Sequence, residues 1–74
     1  MVVYVVVSKY YENDILGTFS SLVNAREGIM QVVEADENII DCEKYSDYTY
    51  RVSTKRNGVQ FFTILYDVVD YIIT

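Results

Sequence analysis

The stretch Val2-Val3-Tyr4-Val5-Val6-Val7 is β-branched and apolar at odd and even positions alike. Side chains along a strand point alternately to opposite faces, so a strand of this composition is apolar on both. Such a strand belongs in the middle of a sheet, covered above and below. The rest of the chain offers one clear helix, and one helix covers one face. The sequence therefore calls for a second cover on the other face.

The first strand is expected from Val2 to Tyr10 and ends at the polar break Glu12-Asn13-Asp14. Asp14 to Phe19 reads as a second strand, which makes the pair a hairpin. Gly17 inside it marks a bulge or a close approach by the helix. Ser20 or Ser21 then offers a helix N-cap, because a serine oxygen accepts from the orphan amides of the first turn. The helix is expected to run to about Ala35. Leu22, Ala25, Ile29, Val32 and Val33 form one apolar stripe along it, while Asn24, Glu27, Gln31 and Glu34 fall mainly on the other side. Gly28 in mid-helix costs roughly 1 kcal/mol relative to alanine. Close packing on the sheet accounts for it better than a functional hinge does.

Beyond the helix, Asn38-Ile39-Ile40-Asp41-Cys42 reads as a short strand or as a loop anchored by its two isoleucines. Tyr48 to Thr54 is expected as a third strand and Val59 to about Asp67 as a fourth. Between them Asn57-Gly58 suits a two-residue type I′ turn, since both residues tolerate positive φ. That turn sets Thr54 opposite Phe61, Val52 opposite Thr63 and Tyr50 opposite Leu65. The other face then carries Phe62, Ile64 and Tyr66, so this strand too is apolar on both sides. The expected fold is α+β: a four-stranded, mainly antiparallel sheet with one helix packed on one face, in ββαββ order. Two-sided strands belong inside, which gives the strand order 2-1-4-3, with 2-1-3-4 as the alternative. Leu65, Val68, Val69 and Ile72 have helical spacing, so the tail is read as a short helix or as further strand.

Seventy-four residues make one small domain, a size at which burial alone is marginal. The only cysteine is Cys42 and there is no histidine, which removes an intrachain disulfide and a structural zinc site from consideration. Self-association remains as the staple, so a homodimer is expected. No leader or membrane segment is read from the sequence, and the lone thiol suits a reducing, cytoplasmic compartment. The net charge of −5 argues against nucleic acid as a direct partner, because phosphate binding needs clustered lysine and arginine.

No catalytic constellation emerges, so an enzyme is not expected and no cofactor is called for. The common general base is missing without histidine, and Ser8, Ser20, Ser21, Ser46 and Ser53 have no activating neighbour in sequence. Cys42 sits between Asp41 and Glu43, whose carboxylates raise a thiol pKa and blunt its reactivity. The acidic run does not match a calcium loop. Asp36, Glu37, Asp41, Glu43 and Asp47 read as a solvated stretch or, more sharply, as a docking face for a protein target with a basic surface. Phe62, Ile64 and Tyr66 are the expected self-association residues. The eight tyrosines fit interface contact as well as cross-strand packing.

The segment Gly17-Thr18-Phe19-Ser20-Ser21-Leu22-Val23-Asn24-Ala25 resembles small phage and prophage proteins of ββαββ type, in which a strand ending in G-x-F-S-S enters a helix. The hairpin from Tyr48 to Asp67 is similar to theirs as well. Some of these proteins are inhibitors of host or defence proteins, anti-CRISPR proteins among them. The resemblance implies a viral inhibitor working in the host cytoplasm and carries over no functional residue.

Overall fold

The computed structural model describes residues 2–68. It contains β1 (Val2–Val7), β2 (Ile15–Phe19), helix α1 (Leu22–Ala35), β3 (Ile39–Ser46), β4 (Thr49–Thr54) and β5 (Val59–Val68). All strand pairs are antiparallel, and the sheet runs β2-β1-β5-β4-β3. The class is α+β as the sequence implies, with five strands in ββαβββ order instead of four.

The fifth strand is β3, which the sequence reading leaves open as a short strand or a loop over Asn38 to Cys42 and does not count among the four, and its side chains explain why. Strand periodicity is broken twice, by irregularities between Ile39 and Asp41 and between Lys44 and Ser46. Extra residues of this kind desynchronise the apolar-polar alternation by which a strand is recognised. With β3 set aside, the remaining order matches 2-1-4-3. β1 and β5 are inner neighbours, β2 is an edge, and β4 is covered by β3 rather than exposed at the rim.

The helix begins where the serines place it. The Ser21 side chain accepts from the amide of Asn24 at 3.0 Å. Ala25 and Ile29 are fully buried, and Leu22, Val32 and Val33 pack against the same core. Beneath them lie Val6, Ile39, Tyr50, Val52, Phe62 and Ile64. At one end Tyr10 and Tyr11 fold back over Phe62, with ring centroids 6.1 and 5.8 Å from it.

The β4–β5 connection is not a two-residue turn. Gly58 has positive φ (+69°), but Asn57 does not, whereas a type I′ turn needs both. Thr54 organises a longer loop: its amide and its hydroxyl both donate to the Gly58 carbonyl at 2.9 and 2.7 Å, and its Oγ1 accepts from the Asn57 amide at 2.8 Å. Ser53 therefore pairs with Val59, Arg51 with Phe61 and Tyr50 with Phe62. Arg51 stands where Thr54 was expected, an odd displacement, and an odd displacement exchanges the two faces of a strand.

The tail reading is answered only in part. β5 continues as strand to Val68, which pairs with Val2. The remainder of the expected tail lies outside the described residues. Among the described residues no helix is long and apolar enough to cross a membrane.

Candidate functional site

The helix covers the face of the sheet that carries Val6, Phe62 and Ile64. The opposite face has no covering element among the described residues. Cross-strand pairing places on it Val3, Val5 and Val7 of β1, and Val59, Phe61, Thr63 and Leu65 of β5. Ile15 of β2 joins them opposite Val7. The β1 valines are half-buried by their neighbours, while Phe61 and Leu65 are 47% and 52% exposed. Tyr45 reaches over from β3 and meets Phe61 edge to face, with centroids 6.2 Å apart.

This open face is divided. Its β2, β1 and β5 part is mainly apolar, with Thr18 opposite Val5, Thr63 opposite Val7 and the register position of Asp67 opposite Val3. On β4 it presents Thr49, Arg51 and Ser53, and on β3 Asp41 and Glu43. Arg51 donates to Glu43 at 2.6 Å along the cross-strand row that also holds Phe61. A depression of about 420 Å³ opens at one end of the apolar half, lined by Val7, Val59, Phe61 and Thr63 with Lys9 and Asp14 at its rim.

The self-association residues expected from the sequence are corrected by this arrangement. Phe62 and Ile64 are 0% and 2% exposed beneath α1, so they belong to the core and cannot meet another chain. Tyr66 is exposed, but on the helix side of the sheet beside Tyr4, with ring centroids 6.3 Å apart. The residues that face outward are their neighbours, Phe61 and Leu65. The polar series Thr49, Arg51, Ser53 on β4 held the missing signal: its apolar alternates Tyr50 and Val52 must face the core, and β5 must match them with Phe62.

The acidic residues do not gather into one patch. Asp47 lies at the β3–β4 turn, 3.3 Å from the Lys44 ammonium and 3.8 Å from the Arg26 guanidinium. Glu43 is paired with Arg51. Asp36 caps the C-terminus of α1 and is engaged twice, accepting from the Asn38 amide at 2.9 Å and from the Tyr10 hydroxyl at 2.7 Å. Glu37 is exposed on the α1–β3 connection, and Asp41 is exposed on the open face beside the β3 edge.

Asp36 belongs to a polar network that fastens three connections at one end of the sheet. The Asn38 side-chain amide donates to Tyr10 Oη at 2.9 Å and to Asn57 Oδ1 at 2.8 Å, and its Oδ1 accepts from the Arg56 amide at 3.0 Å. Its backbone carbonyl accepts from the Lys55 amide at 2.8 Å. Burial raises the Tyr10 phenol above its ordinary value; the Asn38 amide offsets this and the Asp36 carboxylate reinforces it. The Tyr10 hydroxyl and the Asn38 side-chain amide both donate within the cluster, which suits a structural role.

Cys42 is half-buried on the helix side of β3, opposite Val52. Burial pushes its thiol up, and Asp41 adds to the effect. The thiolate is thus disfavoured, which suits packing and not nucleophilic attack. Among the described residues no group of cysteine, aspartate and glutamate is placed to hold a metal ion. No family model, curated protein or solved structure matches the chain.

Proposed function

We propose that this protein acts by contact and not by catalysis: a small acidic module that works as a homodimer and occupies a basic surface of another protein. The observation that carries this reading is the mainly apolar part of the sheet that no element among the described residues covers. Apolar surface of that extent on a small domain is characteristic of an interaction site. The titratable groups point the same way, since Asp36 serves as a helix cap, Glu43 and Asp47 are ion-paired, and burial raises the Cys42 thiol. The net charge of −5 favours an electropositive target, with Glu37 and Asp41 as the carboxylates free to meet it. In its most concrete form the protein is a phage-type inhibitor of a host or defence protein, the activity implied by the resemblance at Gly17 to Ala25.

The test is capture of targets by the tagged wild-type chain and by a Glu37→Lys, Asp41→Lys variant, at low and high salt. The reading expects a target with a basic surface that is lost at high salt and lost to the variant. Equal capture by both chains contradicts it.

One observation favours a second reading, that of an assembly subunit. The β3 edge of the sheet is guarded by Asp41, Glu43, Lys44 and two irregularities, but β2 carries no charge in Ile15-Leu16-Gly17-Thr18-Phe19. A bare edge can pair with another strand. Open-ended particles in place of a discrete dimer would favour that reading.

A further inference from the structure

We infer that Asn57-Gly58 is a site of self-modification: the Gly58 main-chain nitrogen displaces the Asn57 side-chain amine, and the fold supplies the donors that assist it. The product carries aspartate or isoaspartate in the β4–β5 loop.

The chain has four asparagines, Asn13, Asn24, Asn38 and Asn57. Deamidation of an asparagine uses the amide nitrogen of the next residue as its nucleophile. After Asn13 that amide, of Asp14, donates to the Tyr11 carbonyl at 3.1 Å. After Asn24 the Ala25 amide donates to the Ser21 carbonyl at 3.0 Å, and after Asn38 the Ile39 amide donates to the Asp36 carbonyl at 3.0 Å. An amide engaged in this way must give up its bond before it can attack. Within the described residues the Gly58 amide donates to nothing, and glycine has no side chain to hinder its approach. Asn57 and Gly58 are both exposed, and a Cβ at Gly58 would meet nothing within 4 Å, so water and base reach the site.

Two side chains aim donors at the atoms on which negative charge develops. Gln60 Nε2 donates to the Asn57 main-chain carbonyl at 2.8 Å. That oxygen shares the charge of a deprotonated Gly58 nitrogen, so a donor on it favours the reactive form. Asn38 Nδ2 donates to Asn57 Oδ1 at 2.8 Å. That oxygen takes up the charge when the nitrogen adds to Cγ, so the Asn38 amide stands where an oxyanion-hole donor would. Thr54 anchors the loop on either side, through the Asn57 amide and the Gly58 carbonyl, and the reacting atoms lie between these anchors.

The step balances with water and hydroxide alone. Hydroxide takes the Gly58 amide proton, and the nitrogen bonds to Asn57 Cγ. The tetrahedral intermediate re-forms its carbonyl as the Cγ–Nδ2 bond breaks, and the amine leaves as ammonia with a proton from water, which returns the hydroxide. Water then opens the cyclic imide. Cleavage at Cγ gives aspartate, and cleavage at the main-chain carbonyl gives isoaspartate. Water is consumed, ammonia is released, and nothing is oxidised or reduced.

Either product adds a negative charge to a chain of net charge −5, next to Lys55 and Arg56 in sequence. Aspartate keeps an oxygen for the Asn38 donor. Isoaspartate inserts a methylene into the main chain between the two Thr54 anchors, which loosens the hairpin loop.

The test incubates the full folded chain at mildly alkaline pH and follows each asparagine by peptide mapping, with isoaspartate counted by isoaspartyl methyltransferase labelling. Asn57 is expected to deamidate about tenfold or more faster than Asn13, Asn24 or Asn38. That selectivity could come from the Asn-Gly sequence alone, so the fold's part is read from Gln60→Met, which keeps side-chain length and removes the donor. It should slow Asn57 about fivefold in the folded chain and leave its rate unchanged in concentrated urea. Should Gln60→Met fail to fold, the wild type decides: Asn57 should deamidate at least as fast folded as in urea, while the other asparagines are slowed by folding. Slower loss at Asn57 in the folded chain than in urea would mean that the fold shields it, and overturns the inference. An unchanged folded rate in Gln60→Met overturns it as well.

Discussion

The ring of Phe19 occupies the space that a side chain at Gly28 would need. A Cβ at Gly28 would stand 2.5 Å from Phe19 Cζ and 2.8 Å from Cε2, closer than such atoms come. The same ring lies 3.2 Å from where a Cβ at Gly17 would be. Two glycines, one on β2 and one on α1, thus receive a single aromatic side chain and set how close the helix lies to the sheet.

Gly28→Ala is therefore expected to destabilise the fold, although alanine is the better helix former by about 1 kcal/mol. Overpacking of this kind costs typically 1–3 kcal/mol, enough to outweigh the propensity gain. Denaturant midpoints will show it, and Phe19→Leu in the same chain should recover part of the loss. A more stable Gly28→Ala protein would mean that the ring moves aside freely.

Tyr10 and Tyr11 are adjacent, and their hydroxyls predict opposite outcomes. Tyr10→Phe removes the bond to Asp36 and the acceptor of the Asn38 amide, a loss of about 1–2 kcal/mol. Tyr11 Oη makes no hydrogen bond within the described residues, so Tyr11→Phe is expected to be neutral or slightly stabilising. Equal losses from the two substitutions would contradict the network.

Asn38→Ala should cost more than Tyr10→Phe, about 2–3 kcal/mol, because it releases Tyr10, Asn57 and the Arg56 amide together. The double variant should lose less than the sum of the two, since both act on one network. Simple additivity in chemical denaturation would show that the three connections are held independently.

Stability is expected to fall on the alkaline side. Burial raises the Cys42 thiol above its ordinary 9.0 and the Tyr10 and Tyr11 phenols above 10.0. The folded chain thus keeps these protons at a pH where the unfolded chain releases them, so stability is full below pH 9 and declines as pH rises through the raised values. Cys42→Ala should remove the first part of that decline. Urea midpoints from pH 7 to pH 11 follow it, and a midpoint flat across this range would contradict the burial of these groups.

Much of the fold could be read from residues whose signals are local. The valine run, the Ser21 cap and the stripe from Leu22 to Val33 each depend on neighbours within a few positions, and each stands where the sequence places it. β3 was legible only as a short strand or a loop over Asn38 to Cys42, because Ile40 and Tyr45 fall at irregularities that break the alternation. The faces of β5 were exchanged because Asn57-Gly58 favours a short turn locally, while Thr54 and Asn38 impose a longer one through contacts the turn itself does not contain. One such error transfers the outward role from Phe61 and Leu65 to Phe62 and Ile64. The acidic residues were adjacent in sequence but are dispersed in space, drawn apart by the Asp36 cap, the Arg51 pair and the Asp47 turn.

Light scattering on the purified wild-type chain at micromolar concentration bears most directly on the idea that a one-sided sheet requires a second copy. A single species of twice the 8.6 kDa chain mass, unchanged on moderate dilution, is the expected result. A stable, well-folded species of 8.6 kDa would contradict it.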